Sequence, residues 1–115
     1  MKKQILLLTT LFLMQLTVFA GPFDLIKKAG TSKDYPNADY LVVLDETSVD
    51  VQESGLSYND IHKIIKVLTP QGAKRLNHLV FDYDPLSAFI EIKEVKIYRN
   101  NGSVEILGKD RIYDY

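Results

Sequence analysis

Val95-Lys96-Ile97-Tyr98-Arg99-Asn100-Asn101-Gly102-Ser103-Val104-Glu105-Ile106 is the stretch that decides the fold class. Val95 and Ile97 share one parity, and Val104 and Ile106 resume the alternation beyond the turn, as strands with one buried face require. Between them, Arg99-Asn100-Asn101-Gly102-Ser103 is a turn signal. Asn-Gly accepts the positive φ angles of a tight hairpin, because glycine has no Cβ to clash and asparagine tolerates the left-handed region. The stretch therefore predicts an antiparallel hairpin in a β protein.

Upstream the pattern stays β. Ile90 and Ile92 share the parity opposite to that of Val95 and Ile97. A slip of one residue would turn half of these side chains into water, so a β-bulge is expected near Lys93-Glu94. Leu79, Phe81 and Tyr83 alternate with Val80, Asp82 and Asp84, and Pro85 ends that predicted strand. Thr69-Pro70-Gln71-Gly72 has proline second and glycine fourth, a type I turn signature. Tyr58 to Leu68 carries apolar residues on both parities toward its end, as in a strand covered on both faces. Glu53-Ser54-Gly55 is another turn. Before it, Val49 and Val51 alternate with Ser48, Asp50 and Gln52, and Leu41-Val42-Val43-Leu44 reads as a short strand.

Ahead of these strands, Thr31 to Asn37 is a polar connector. Gly21 to Gly30 reads as a short helix: Pro22 suits the first turn, Asp24 and Lys27-Lys28 match the helix dipole, and Gly30 is a stop. About six strands and one short helix predict a mainly β domain, an antiparallel β-sandwich or open barrel. Arg111-Ile112-Tyr113-Asp114-Tyr115 follows the last predicted strand closely, with no closing polar tail. The sandwich is therefore expected to be incomplete at its C-terminus. The expected layout is a leader over 1–20, a helix and connector over 21–37, and the β domain over 38–115.

The leader reads as a secretory signal peptide. Lys2 and Lys3 form a basic start, Ile5 to Phe19 is a mostly apolar run of 15 residues, and Val18-Phe19-Ala20 offers a cleavage site. The run falls short of the roughly 20 residues that span a bilayer, and Thr9, Thr10, Gln15 and Thr17 interrupt it. Cleavage after Ala20 is expected, which makes the protein exported, periplasmic or extracellular, with no stable membrane anchor. It would leave 95 residues, enough for one small domain, holding 12 basic against 15 acidic residues and a formal charge of −3. Interspersed charges of that balance give no basic footprint for nucleic acid. Cysteine is absent, so the domain has no disulfide, thiolate metal site or cysteine nucleophile.

In this order the features resemble a family of uncharacterised bacterial domains, a domain of unknown function found N-terminal to transglutaminase-like cores in exported proteins. Ala38-Asp39-Tyr40-Leu41-Val42-Val43-Leu44-Asp45-Glu46, with Val49, Val51 and Gly55, is similar to the opening of that domain. His62-Lys63-Ile64-Ile65-Lys66-Val67-Leu68-Thr69 with Gly72 is similar to a second landmark, and Val95-Lys96-Ile97-Tyr98 with Asn101-Gly102-Ser103-Val104 to a third. The resemblance runs from about residue 38 to the end, roughly the first half to two-thirds of such a domain. It implies a β-sandwich module standing before a papain-like core whose Cys, His and Asp would lie downstream. No such role carries over to any residue here.

The residues themselves supply no catalytic constellation. His62 and His78 are the only histidines. Asp60 is placed to orient His62, but Ser57 has the opposite parity and points to the other face of the strand. Both histidines are read as ordinary edge or half-buried residues. Asp82 and Asp84, and the group Asp45, Glu46 and Asp50, lack the spacing of a calcium loop and are read as solvated strand face and turn caps. Seven tyrosines, Tyr35, Tyr40, Tyr58, Tyr83, Tyr98, Tyr113 and Tyr115, are read mainly as strand packing, with Tyr113 and Tyr115 marking a pairing edge. No catalytic, cofactor-binding or metal residue is assigned, and no cofactor is expected. The expected function is a non-catalytic module that docks or positions a transglutaminase-like core or its substrate through an exposed strand edge. The alternative is a stand-alone secreted domain that binds a protein or cell-surface glycan.

Overall fold

The computed structural model describes residues 21–113; residues 1–20, read above as a leader, and Asp114-Tyr115 lie outside the described residues. Helix α1 spans Pro22–Lys28 and starts and stops for the reasons legible in the sequence: proline opens it, Asp24 lies in its first turn, and Lys27 and Lys28 lie in its last. Gly30 turns the chain beyond it at φ 102°, a conformation that favours glycine.

Strand β1, Tyr40–Val51, pairs antiparallel with β2, Ser57–Val67, along a long ribbon. The two apolar runs read before the turn are one continuous strand. Strands β3, Lys96–Tyr98, and β4, Val104–Ile106, form the hairpin expected around Asn101-Gly102. The ribbon and the hairpin close in the same way. Gln52 N–H donates to Leu56 C=O at 2.7 Å and Gly55 N–H to Gln52 C=O at 3.0 Å. Arg99 N–H donates to Ser103 C=O at 3.0 Å and Gly102 N–H to Arg99 C=O at 3.0 Å. Gly55 at φ 89° and Gly102 at φ 86° each take the left-handed position after a type I turn, whereas Asn101 keeps a negative φ.

Thr69-Pro70-Gln71-Gly72 does not end as a turn. It opens helix α2, Pro70–Leu76. The backbone of a type I turn is also that of a first helical turn, and here Thr69 caps the helix by accepting Gly72 N–H at 3.1 Å. Ala73-Lys74-Arg75-Leu76 are all good helix formers, so the turn propagates.

The sandwich or barrel of about six strands is corrected to an open arrangement. Two separate two-stranded antiparallel sheets, two short α-helices and a 3-10 turn at Lys109–Arg111 make up the described residues, with no closed barrel. Residues 79–84 alternate like a strand yet form none, and the expected bulge at Lys93-Glu94 lies in unpaired chain before β3. Alternation records which side chains would share a face; a strand exists only where a second backbone completes the ladder. Ile112 and Tyr113 likewise follow the 3-10 turn without pairing. Ile64, 8% exposed, is the one buried apolar residue among those described.

Candidate docking surface

The candidate surface lies in the ribbon, and a bulge creates it. The register runs Val42 opposite Ile65 and then Leu44 opposite Ile64, leaving Val43 as the extra residue. Without the bulge, in a strand that alternated regularly through Val43, Tyr40 and Val42 would share a parity opposite to that of Val49 and Val51 and would point the other way. With it, the pairs Tyr40–Val67, Val42–Ile65, Thr47–Ile61, Val49–Asn59 and Val51–Ser57 all lie on one face. Asp45 and Lys63 cross the middle of this face as an ion pair at 3.3 Å. The bulge thus gathers onto one side seven large apolar residues that a uniform strand would have split.

The opposite face holds Leu41 with Lys66, Leu44 with Ile64, Glu46 with His62, Ser48 with Asp60, and Asp50 with Tyr58. This face meets other parts of the chain at its two ends, while Glu46, Ser48 and His62 between them are exposed. Lys66 Nζ donates to the carbonyl oxygens of Ile26, at 2.9 Å, and Gly30, so an ammonium holds the end of α1 against the sheet. Cation and helix C-terminus are electrostatically matched. At the ribbon's far end Tyr58 meets Phe89 edge-on at 6.4 Å, and Lys93 Nζ grips both carboxylate oxygens of Asp60 at 2.8 and 2.9 Å. The Asp60 carboxylate holds the Lys93 ammonium above the ordinary lysine range.

No comparable cover lies over the first face among the described residues. Val42 is 53% exposed, Ile61 65% and Val51 67%, and Tyr40, Val49 and Val67 are exposed as well. A ribbon of this length measures about 40 Å by about 10 Å, so the face amounts to roughly 400 Å². The apolar part is smaller, because Asp45, Lys63, Thr47, Asn59 and Ser57 share the face; it falls within the size of the largest apolar patch on a typical monomer, which is often functional.

The sequence's candidate chemistry does not converge. His62 and Ser57 fall on opposite faces, as parity requires, and Asp60 spends its oxygens on Lys93 instead of orienting His62. His78 lies in exposed chain after α2. Asp82 and Asp84 share no strand. Asp84 instead caps a turn, accepting Leu86 N–H at 3.0 Å and Ser87 Oγ–H at 2.8 Å, and these bonds hold its carboxyl below the ordinary aspartate range. Asp45 pairs with Lys63, and Asp50 accepts from Gln52 Nε2 at 2.8 Å. Among the described residues no three His, Asp or Glu side chains group as metal ligands would, and no helix is long and apolar enough to cross a membrane. The described tyrosines are largely surface residues. Tyr98 is the half-buried exception, edge-on to Phe23 at 5.1 Å beside a shallow cleft of about 300 Å³ between α1 and the β3–β4 hairpin. The open face escaped the sequence reading because two strands of opposite parity gave no sign that one inserted residue, Val43, reconciles them.

Residues 53–115 match the Domain of Unknown Function family DUF3857, more than half of the chain. The chain belongs to this family. The match takes in the second and third landmarks and begins at Glu53, so β1 stands upstream of it. No curated protein and no solved structure matches the chain.

Proposed function

We propose that this DUF3857 chain is a non-catalytic β module of an exported transglutaminase-like protein, which docks or positions the catalytic core or its substrate. The observation that carries the reading is the open apolar face of the β1–β2 ribbon, built by the Val43 bulge and left exposed, whereas α1, Phe89 and Lys93 meet the opposite face. Burying a Val or Ile side chain in full is worth about 1.5–3 kcal/mol, so a face with seven large apolar residues holds back several kcal/mol until a second layer covers it. In this reading the neighbouring domain supplies that layer and completes the sandwich. The two landmarks inside the family match, together with the leader, support the exported setting.

The test has two parts. Intact mass of the protein recovered from the envelope or medium reads the leader: a start at Gly21 agrees, and a start at Met1 contradicts export with cleavage. Val42→Asp and Ile61→Asp, made singly in the protein as its host produces it, place a charge on the open face. They should lower transglutaminase-like activity or its substrate affinity in the parent protein without altering the Asp60–Lys93 side of the ribbon. A parent with no downstream Cys-His-Asp core, or one indifferent to both substitutions, refutes the docking role and leaves the stand-alone binding domain.

A further inference from the structure

Asn101 and Gly102 shape the β3–β4 turn, and they also set a side-chain amide beside a backbone nitrogen that no Cβ shields. Of the five asparagines, Asn37, Asn59, Asn77, Asn100 and Asn101, Asn101 alone is followed by glycine. Asn101, Gly102 and Ser103 are all exposed, and the space where a Gly102 side chain would stand holds no atom within 4 Å. Water and dissolved base therefore reach the Gly102 peptide directly.

The side chain of Asn101 is held in place over that peptide. Ser103 N–H and Ser103 Oγ–H donate to its Oδ1 at 2.9 and 2.6 Å, which folds the amide group back along the turn. Two donors on one carbonyl oxygen draw electrons away from Cγ. They also stand where negative charge develops once a nucleophile adds there, as in an oxyanion hole.

We propose that Asn101 is a deamidation site, at which the Gly102 backbone nitrogen displaces ammonia from the Asn101 side chain and leaves aspartate or isoaspartate in the turn. A solvent base takes the Gly102 amide proton. The nitrogen lone pair then bonds to Asn101 Cγ, while the carbonyl electron pair moves onto Oδ1, held by Ser103. That pair returns, the Cγ–Nδ2 bond breaks, and Nδ2 leaves as ammonia with a proton from water. Water next opens the cyclic imide. Cleavage at Cγ gives aspartate, and cleavage at the main-chain carbonyl gives isoaspartate, whose backbone runs through Cβ and Cγ. Nothing is oxidised or reduced, and water is the one reactant consumed. The isoaspartate backbone is longer by a methylene between Arg99 and Ser103, whose N–H and C=O close the hairpin at 3.0 Å. Only three residue pairs lie behind that closure, so the modification loosens the hairpin where it borders the cleft with α1. This reaction does not depend on the docking role above.

The purified 115-residue chain is held at neutral pH and sampled over time. Peptide mapping by mass spectrometry reads each asparagine separately, and an isoaspartyl methyltransferase labels the isoaspartate product. Asn101 should convert about tenfold or more faster than any of the other four asparagines, with isoaspartate accumulating at that position. Ser103→Ala removes one of the two donors on Oδ1 and should slow conversion about tenfold, and Ser103→Thr should restore it. A hydroxyl that merely stiffened the turn would act in the opposite sense, because a looser turn samples the attack geometry more freely. The proposal is overturned by an Asn101 that keeps its amide or converts no faster than the other four. It is overturned equally by a Ser103→Ala chain that converts as fast as the parent or faster. The comparison among asparagines is made within the unaltered chain, so it decides even where the Ser103 variants misfold.

Discussion

Gly72 lies in the first turn of α2, and it is one of the few buried positions in the described chain. In an exposed helix, replacing glycine by alanine gains about 1 kcal/mol. Here the sign reverses. A Cβ at Gly72 would lie 2.9 Å from the carbonyl carbon of Asp39, closer still to its oxygen, and 3.4 Å from the Asp39 Cβ. The obstruction is backbone, so it cannot rotate away. That backbone is also committed: Asp39 C=O accepts Leu68 N–H at 2.9 Å and Thr69 N–H at 3.3 Å, while Asp39 Oδ1 accepts Thr69 Oγ1–H at 2.8 Å. Moving Asp39 aside weakens these three bonds, each worth about 1 kcal/mol net. Set against the helix-propensity gain, Gly72→Ala should cost about 1–2 kcal/mol at the junction of β1, β2 and α2. Amide hydrogen exchange reads it locally, and protection at Leu68 and Thr69 should fall about tenfold. Gln71→Ala, one residue away and exposed, is the control and should leave both amides unchanged. Equal or greater protection in Gly72→Ala would refute the close approach.

Deleting Val43 should be tolerated, because it removes only the residue outside the register, whereas deleting Thr47 should strip exchange protection from Ser48 to Val51. Equal loss in both deletions would show that the bulge is not where the register breaks. Lys66→Met leaves the Ile26 and Gly30 carbonyls without their cation and should loosen α1 by about 1.5–3 kcal/mol, erasing the ring-current shift that Phe23 places on Tyr98. An unchanged Tyr98 spectrum would count against that tie. The Asp84 turn should open in acid. Its folded pKa lies below the ordinary value of about 3.9, so its contribution is full above that value and is lost as pH falls through the lowered one. The Leu86 amide shift should titrate below pH ~4 and cease to titrate in Asp84→Asn; a midpoint at or above 3.9 would refute the capping bonds.

The local signals at α1 and at the two hairpin turns were legible. The α1 boundaries follow from Pro22 and the charge order, and the turns at Gly55 and Gly102 follow from glycine's access to positive φ. Both depend on atoms within a few residues of one another, and so they survive any change elsewhere in the fold. Thr69-Pro70-Gln71-Gly72 marks where that legibility stops. Turn and helix share their first dihedrals there, and the four residues beyond decide between them.

The long-range outcome lay beyond the reach of pattern. Leu79 to Tyr83 and Val49 to Val51 alternate equally well, yet the second became ladder and the first did not. Alternation is a property of one chain, but pairing requires a partner backbone with matching register and an unobstructed path. The open face shows the same division between the two levels. From the sequence came the apolar residues Tyr40, Val42, Val49, Val51, Ile61, Ile65 and Val67 and the hairpin that brings them together. Tertiary structure decided that Val43 would be the unpaired residue, and with it which side these residues face and that no described segment covers them. A bulge is fixed by the register of two strands together, and no single strand carries that information.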